Sequence, residues 1–478
     1  MSRQQFTSRN NIGKILTFQK SGSTSFFEPT IGFDGGGRVS WRLDNGTNIT
    51  QTAGNGLTYT GFTLDTDIRT IQIRVNSFRN TNSFIFDNDN IYGNLDLTQL
   101  SGFRGTFRVN TNPNLTGITN GPSSQIFSSY IAYSCNLTGN LDLTPLSGLG
   151  GQFQVNNNPN LTGITHGPSS QNISSYLANS CNLIGNLDLT PLSGLGGQFW
   201  VSANSNLTGI THGPSSQIFT SYLANSCNLT GKLDLTPLSG LGGQFWVQYS
   251  TNLTGITHGP SSQIFTSYFA NSCNLIGNLD LTPLSGLGGQ FDVWFNFNLT
   301  GITHATSPNN ITRYRANDCK LTGTLDLRNL TKLGASTTGS TSILRLDGNS
   351  SLTNILLPTS TQYFKNESNG LGSRAFSLYG CNLDYIDLTS LSGATLVSGT
   401  TQGRAGIDLQ NNNMTTTDVN HILVDFSGNA TYNPTGWSNI TLNISGTNAD
   451  PDSSSGGYNG LAAISFLTGS PYNWTITY

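Results

Sequence analysis

Residues 199–210 read Phe199-Trp200-Val201-Ser202-Ala203-Asn204-Ser205-Asn206-Leu207-Thr208-Gly209-Ile210, and 23 residues earlier the chain reads Tyr176-Leu177-Ala178-Asn179-Ser180-Cys181-Asn182-Leu183. In both, small or apolar residues alternate with variable ones and the alternation then stops at Asn204 or Cys181. Period two over so short a run predicts a strand with one buried face. Phe84, Phe107, Tyr130, Phe153, Tyr176, Phe199, Tyr222, Phe245, Tyr268, Phe291 and Tyr314 all stand 23 residues apart, and Cys135, Cys181, Cys227, Cys273 and Cys319 stand 46 apart. The physical unit is a 23-residue coil of two alternating types, one carrying Phe and then Asn, the other Tyr and then Cys. Repetition at this period predicts a solenoid.

Both coil types resemble the leucine-rich repeat, L-x-L-x-x-(N/C)-x-L, and the Leu207-Thr208-Gly209 that follows is most similar to its plant-type and bacterial variants. The resemblance covers roughly residues 84–415. It implies one strand per coil in a continuous parallel sheet, with Asn or Cys turning the chain out of it. A buried Asn amide there can bond backbone groups of its own and a neighbouring coil. Asn112, Asn158, Asn204 and Asn296 are therefore expected to form a ladder, with Cys135, Cys181, Cys227, Cys273 and Cys319 as small apolar fillers of the same slot. Ser250 takes an Asn slot, and its turn is expected to be bonded less well. After Tyr314 the coils lengthen, with Leu344, Phe376 and Ile407 spaced 30 to 32 residues apart.

A mainly β fold follows: a leucine-rich repeat solenoid of about fifteen coils over 81–415, between capped ends. Residues 1–80 read as a small β-rich, sandwich-like module. Strands are expected at Ile15–Phe18, Val39–Leu43, Leu57–Phe62 and Ile71–Val75, and Asp44-Asn45-Gly46 is a hairpin turn. Residues 416–478 read as a cap with helices over Val419–Phe426 and Asn459–Leu467 and a final strand over Trp474–Tyr478.

Composition narrows the function. Only 9% of the 478 residues are charged, the formal net charge is −3, and glycine numbers 56. An average soluble chain is about 25% charged. Without a basic excess, nucleic-acid binding is not expected. No apolar run reaches the length of a membrane span. Met1-Ser2-Arg3-Gln4-Gln5 leads into polar sequence without an apolar signal core, so synthesis in the cytoplasm is expected.

The columns of chemically capable residues read as structural. Cysteines two coils apart lie about 9–10 Å apart, beyond disulfide reach, and are expected to be buried free thiols. His166, His212, His258 and His304 are too widely spaced to share a metal and read as turn residues. Asp96, Asp142, Asp188, Asp234, Asp280 and Asp326 occupy equivalent Leu-Asp-Leu sites, whereas acid–base catalysis needs two carboxyls in unlike environments. No metal, cofactor or catalytic residue is expected, and no enzyme is indicated. A polysaccharide-cleaving site built from scattered acids such as Asp292 and Asp318 is the enzymatic alternative.

The informative positions are those where near-identical coils differ. In the Phe-type coils the outward residues run from Arg108 through Gln154 and Trp200 to Trp246 with Tyr249, then Asp292 with Trp294 and Phe295, while Phe and Val persist at the inward phase. Exposed aromatic clusters mark contact surfaces. Trp200, Trp246, Tyr249, Trp294 and Phe295 are expected to line one column, with Leu177, Leu223 and Phe269 between. The layout also resembles phage and Bacteroidetes-type repeat proteins. That resemblance implies a non-enzymatic virion surface protein made in the host cytoplasm: a bacteriophage tail fibre, spike or capsid-decorating protein. Its N-terminal module would meet other virion proteins, and its solenoid a host glycan or protein. A bacterial cell-surface adhesin and a depolymerising tail spike are the alternatives, and homo-oligomerisation is left open.

Overall fold

A computed structural model describes residues 81–478 except 122–124, 147, 332, 334–342, 359–362, 366–374, 392–394 and 398–404, and before them 14–20, 29–33, 37–43, 49–53, 57–58 and 69–75. The protein is mainly β, a parallel-sheet solenoid with about ten coils spaced about 23 residues apart. Contacts divide it into two compact units, Met1–Phe219 with Ser226–Asn228, and Thr220–Asn225 with Leu229–Tyr478.

In the first unit, the N-terminal strands Lys14–Lys20, Gly37–Leu43, Ile49–Ala53 and Arg69–Val75 pair antiparallel in a six-stranded sheet. The expected hairpin turn at Asp44–Gly46 lies outside the described residues, as does Tyr59–Phe62 of one expected strand. The solenoid sheet starts at Thr81–Ile85, whose first edge is covered by the antiparallel strand Thr30–Phe33. From there the rungs stack in parallel, Phe84 on Phe107, Tyr130, Phe153, Tyr176 and Phe199. These side chains are fully buried, and Phe153, Tyr176 and Phe199 form an aromatic spine with ring centroids 4.8 and 5.4 Å apart.

In the second unit the same register runs from Phe245 through Tyr268, Phe291 and Tyr314. It continues through the longer coils at Leu344, Phe376 and Ile407. Two further rungs follow at Leu442 and Ile476. The Leu442 rung, strand Ile440–Asn443, escaped the sequence reading. Helix α1, Thr416–Tyr432, and helix α2, Gly460–Thr468, lie between the last rungs. Thr415 caps α1 in a capping box with Asp418, and Asn459 caps α2, each satisfying backbone N–H groups that a helix start leaves open.

The asparagine ladder forms. Asn296 Oδ1 accepts from the Leu275 N–H at 3.0 Å, and its Nδ2 donates to the Ala270 and Val293 carbonyls at 2.9 and 2.6 Å. Asn112, Asn158 and Asn204 repeat this set. The cysteines do more than fill space. Each Sγ donates to a carbonyl of the preceding Asn-type coil, Cys135 to Val109, Cys181 to Val155, Cys227 to Val201, Cys273 to Val247 and Cys319 to Val293, at 3.2 to 3.4 Å. All six thiols are buried and unpaired by disulfides. Burial pushes Cys135, Cys181 and Cys227 up to about 11 and Cys273, Cys319 and Cys381 up to about 12. Ser250 is fully buried and its hydroxyl has no hydrogen-bond partner.

The coils also carry a second strand that the sequence reading lacked. Thr138–Leu143 pairs in parallel with Asn160–His166, and Ile184–Leu189 with Asn206–His212. In the second unit Thr230–Leu235 pairs with Asn252–His258. The Leu-Asp-Leu segments belong to these strands: Leu187 and Leu189 point inward, and Asp188 caps the turn by accepting from the Thr190 N–H at 2.9 Å. His166, His212 and His258 end the partner strands and His304 directly follows Asn298–Thr303; all four are buried, so residues expected in turns are strand-end core residues. His166 and His258 each place Nε2 2.9 Å from the hydroxyl of the spine tyrosines Tyr176 and Tyr268. Desolvation holds His166 and His258 down at about 3 and His304 at about 4, so all three are neutral at pH 7.

Candidate functional site

Strands Leu241–Trp246, Phe265–Phe269, Gly288–Asp292 and Asn310–Arg315 of the second unit set out a grid of outward residues. Register aligns Gln244, Ser267, Gln290 and Arg313 in one column and Trp246, Phe269, Asp292 and Arg315 in the next. One inward residue further along each coil come Gln248, Asn271, Trp294 and Asn317, and then Tyr249, Ser272, Phe295 and Asp318. The backbone N–H groups of Tyr249 and Phe295 bond the carbonyls of Asn271 and Asn317. These bonds tie the turn to the next coil. The expected single line of aromatic residues is therefore spread over three columns, Trp246 in that of Phe269 and Arg315, Trp294 in that of Gln248 and Asn317, and Tyr249 and Phe295 in the turn.

Side chains knit the grid together. Trp246 stacks on Phe269 with centroids 5.4 Å apart and planes 18° from parallel, and its Nε1 donates to Ser267 Oγ at 2.7 Å. Trp294 meets Phe295 edge-on at 4.7 Å, and Phe295 stacks with Phe297 at 5.8 Å. The Arg313 guanidinium lies 5.7 Å over Phe269 and that of Arg315 5.9 Å over Trp294, a favourable geometry for cation–π attraction.

Asp292 corrects an expectation. It was read as an exposed contact residue, yet it is 2% exposed. Arg313 Nη2 reaches Asp292 Oδ2 at 2.5 Å, and Arg315 grips both carboxylate oxygens at 2.9 and 2.6 Å. A carboxylate so enclosed presents no face to a ligand. Asp318, the other acid considered, accepts from Asn317 Nδ2 at 2.7 Å. Asp292 instead positions the two arginines, which in turn hold Phe269 and Trp294. Arg313 and Arg315 were not singled out from sequence. The available signal was that they flank Tyr314 where the earlier Tyr-type coils carry Ser175 and Leu177, or Ser267 and Phe269.

In the first unit, Trp200 is 40% exposed on its strand, and Gln154 is half-buried. Arg108 forms an ion pair with Asp87.

The turn column carries the clearest energetic signal. Every coil places one residue there at positive φ. Asn157, Asp318, Gly348 and Asn411 suit that conformation; Thr111, Ser134, Ser180, Ala203, Ser226 and Ser272 adopt it in other coils, and Tyr249 and Phe295 adopt it at φ 62° and 56°, so the conformation belongs to the coil and only the ring side chains are particular to these two. The left-handed region costs an ordinary L-residue about 1–2 kcal/mol, and bulky side chains are uncommon in it. Burial does not offset this: Tyr249 is 52% exposed, Phe295 40% and the adjacent Phe297 65%. The Tyr249 ring is about half in solvent, while Phe295 packs against Trp294 and Phe297. A surface of Trp, Tyr and Phe set among Asn, Gln and Ser offers rigid ring faces with hydrogen-bonding amides between them, a composition suited to binding. Among the described residues no cluster of His, Cys, Asp or Glu could hold a metal ion.

No protein-family profile, curated protein or solved structure matches the chain.

Proposed function

We propose that the chain is a non-enzymatic structural protein of a virus-particle surface, a bacteriophage tail fibre, spike or capsid-decorating protein of leucine-rich-repeat kinship. Its outward sheet face makes recognition or assembly contacts. The observation that supports the contact role is that Tyr249 and Phe295 put rings, 52% and 40% exposed, at a turn position that other coils fill with Asn, Asp, Gly, Ser, Ala or Thr, giving a partner large ring surfaces. The particle setting is supported by the charge-poor composition, by the modular layout and by buried thiols that suit assembly in a reducing compartment. On this reading the N-terminal module attaches to the particle and the solenoid presents the face.

Purified particles should contain the chain, and Trp246→Ala with Trp294→Ala should abolish attachment to host cells or incorporation into the particle while the protein stays folded. If both persist in the double variant, the proposed role of the face is wrong.

A further inference from the structure

The aromatic face of the second unit offers a partner little charge. Residues 244–251 and 267–274 carry no charged side chain, and 290–297 carry only Asp292, which is 2% exposed and held by Arg313 and Arg315. At the next rung Arg345 pairs with Asp347, and Asp318 accepts from Asn317. Lys320 stands one coil beyond Phe297 in open solvent, where water and salt screen a lone charge. The rings are therefore set on a surface that selects neither an anion nor a cation.

Size and shape narrow the partner further. Strands Phe265–Phe269 and Gly288–Asp292 are paired on both sides, so they leave no open edge for an added peptide strand. From Trp246 and Tyr249 to Trp294 and Phe297 the aromatic patch covers two coil steps and three residues along the chain, roughly 10 Å each way. That footprint is far below the roughly 800 Å² per partner of a stable protein interface, and suits a ligand of a few small rings. In the turn column Ser272 stands between Tyr249 and Phe295, two rings about 9–10 Å apart. In the adjoining column Gln248 Oε1 and Trp294 Nε1 are covered and have no hydrogen-bond partner. Both side chains are part-exposed, so a rotamer change brings either atom to the surface. One is an acceptor and the other a donor, and a hydroxyl serves both.

We propose that this surface takes a neutral glycan lying along the turn column, with sugar rings against Tyr249 and Phe295 and hydroxyls at Ser272, Gln248 and Trp294. This inference rests on reading the face as a recognition surface and adds the ligand class.

The test measures retention of the full chain on columns carrying a neutral glucan, a mannan or a galactan, with a polyuronate column as the acidic control, at low and high salt. Retention is expected on a neutral polymer, undiminished by salt, and no stronger on the polyuronate. Tyr249→Ser and Phe295→Ser install the residue that Ser226 and Ser272 supply at the same turn with φ 56° and 54°, so both variants should fold, which their urea midpoints check. Each should weaken binding by about tenfold, the loss expected when a contact ring is truncated. Retention on none of the neutral columns, retention that salt removes, or retention unchanged in both serine variants overturns the inference. If it fails in any of these ways while the Trp246 and Trp294 substitutions still abolish attachment, the recognition face stands and its partner belongs to another class. Attachment that survives those substitutions removes the face itself.

Discussion

Replacing Ser250 with Asn should stabilise the second unit. Each ladder asparagine makes three hydrogen bonds to backbone groups that turn out of the sheet, as Asn296 does with Leu275, Ala270 and Val293. Ser250 sits in the equivalent slot, fully buried, with its hydroxyl unpartnered. A net hydrogen bond contributes about 1 kcal/mol, and relieving a buried unpartnered polar group adds to that. Ordering a longer side chain opposes the gain by about 1 kcal/mol. Ser250→Asn should therefore add about 2 kcal/mol. The mirror substitution, Asn296→Ser, should remove about 2–4 kcal/mol, because it strands one N–H and two carbonyls in the core. Urea unfolding followed by tryptophan fluorescence reads both as shifts in midpoint at unchanged slope. If Ser250→Asn destabilises the protein while Asn296→Ser is neutral, the ladder is not what holds the turns.

Tyr249→Asn should raise stability by about 1 kcal/mol, since Asn tolerates the left-handed conformation at a site where the ring is mostly in solvent, and should at the same time weaken partner binding; a loss of stability would show that the ring is a packing residue. Acidification should destabilise the solenoid through its histidines. His166, His258 and His304 have depressed values in the folded state, so below about pH 6.5 the unfolded chain binds more protons, and stability falls by up to about 1.4 kcal/mol per pH unit for each until the folded values are reached. His258→Asn, the residue the first coil carries at Asn120, should flatten that slope in urea midpoints measured from pH 7 to pH 4.5. The six cysteines, buried and pushed up to about 11 or 12, should be inert to a water-soluble aromatic disulfide in the folded protein and react together on unfolding; rapid native reaction would place them at the surface.

The rungs from Phe84 to Tyr314 were legible because one inward aromatic residue per coil keeps an unbroken period, and a buried position tolerates little change. The Leu442 rung was not, since helix α1 interrupts the coil and shifts its strand 35 residues beyond Ile407. The second strands were hidden because Leu-Asp-Leu is too short an alternation to separate from a turn, and they pair only in twos, joining one adjacent coil and not the other. The histidines read as turn residues among Gly and Pro, but their partner tyrosines lie ten residues further on, across a bend. At the face, the aromatic residues were visible as departures from repetition. The burial of Asp292 was not, because it depends on two arginines 21 and 23 residues away that belong to the other coil type.

The most direct measurement is oxidative footprinting of the aromatic side chains in the isolated chain and in its native attached state. The account predicts that Trp246, Tyr249, Phe295 and Phe297 are modified in the isolated chain and protected together on attachment, while the solvent-facing Tyr432 of α1, 74% exposed, reacts equally in both. Unchanged modification of the four face residues, with protection appearing elsewhere, would contradict it.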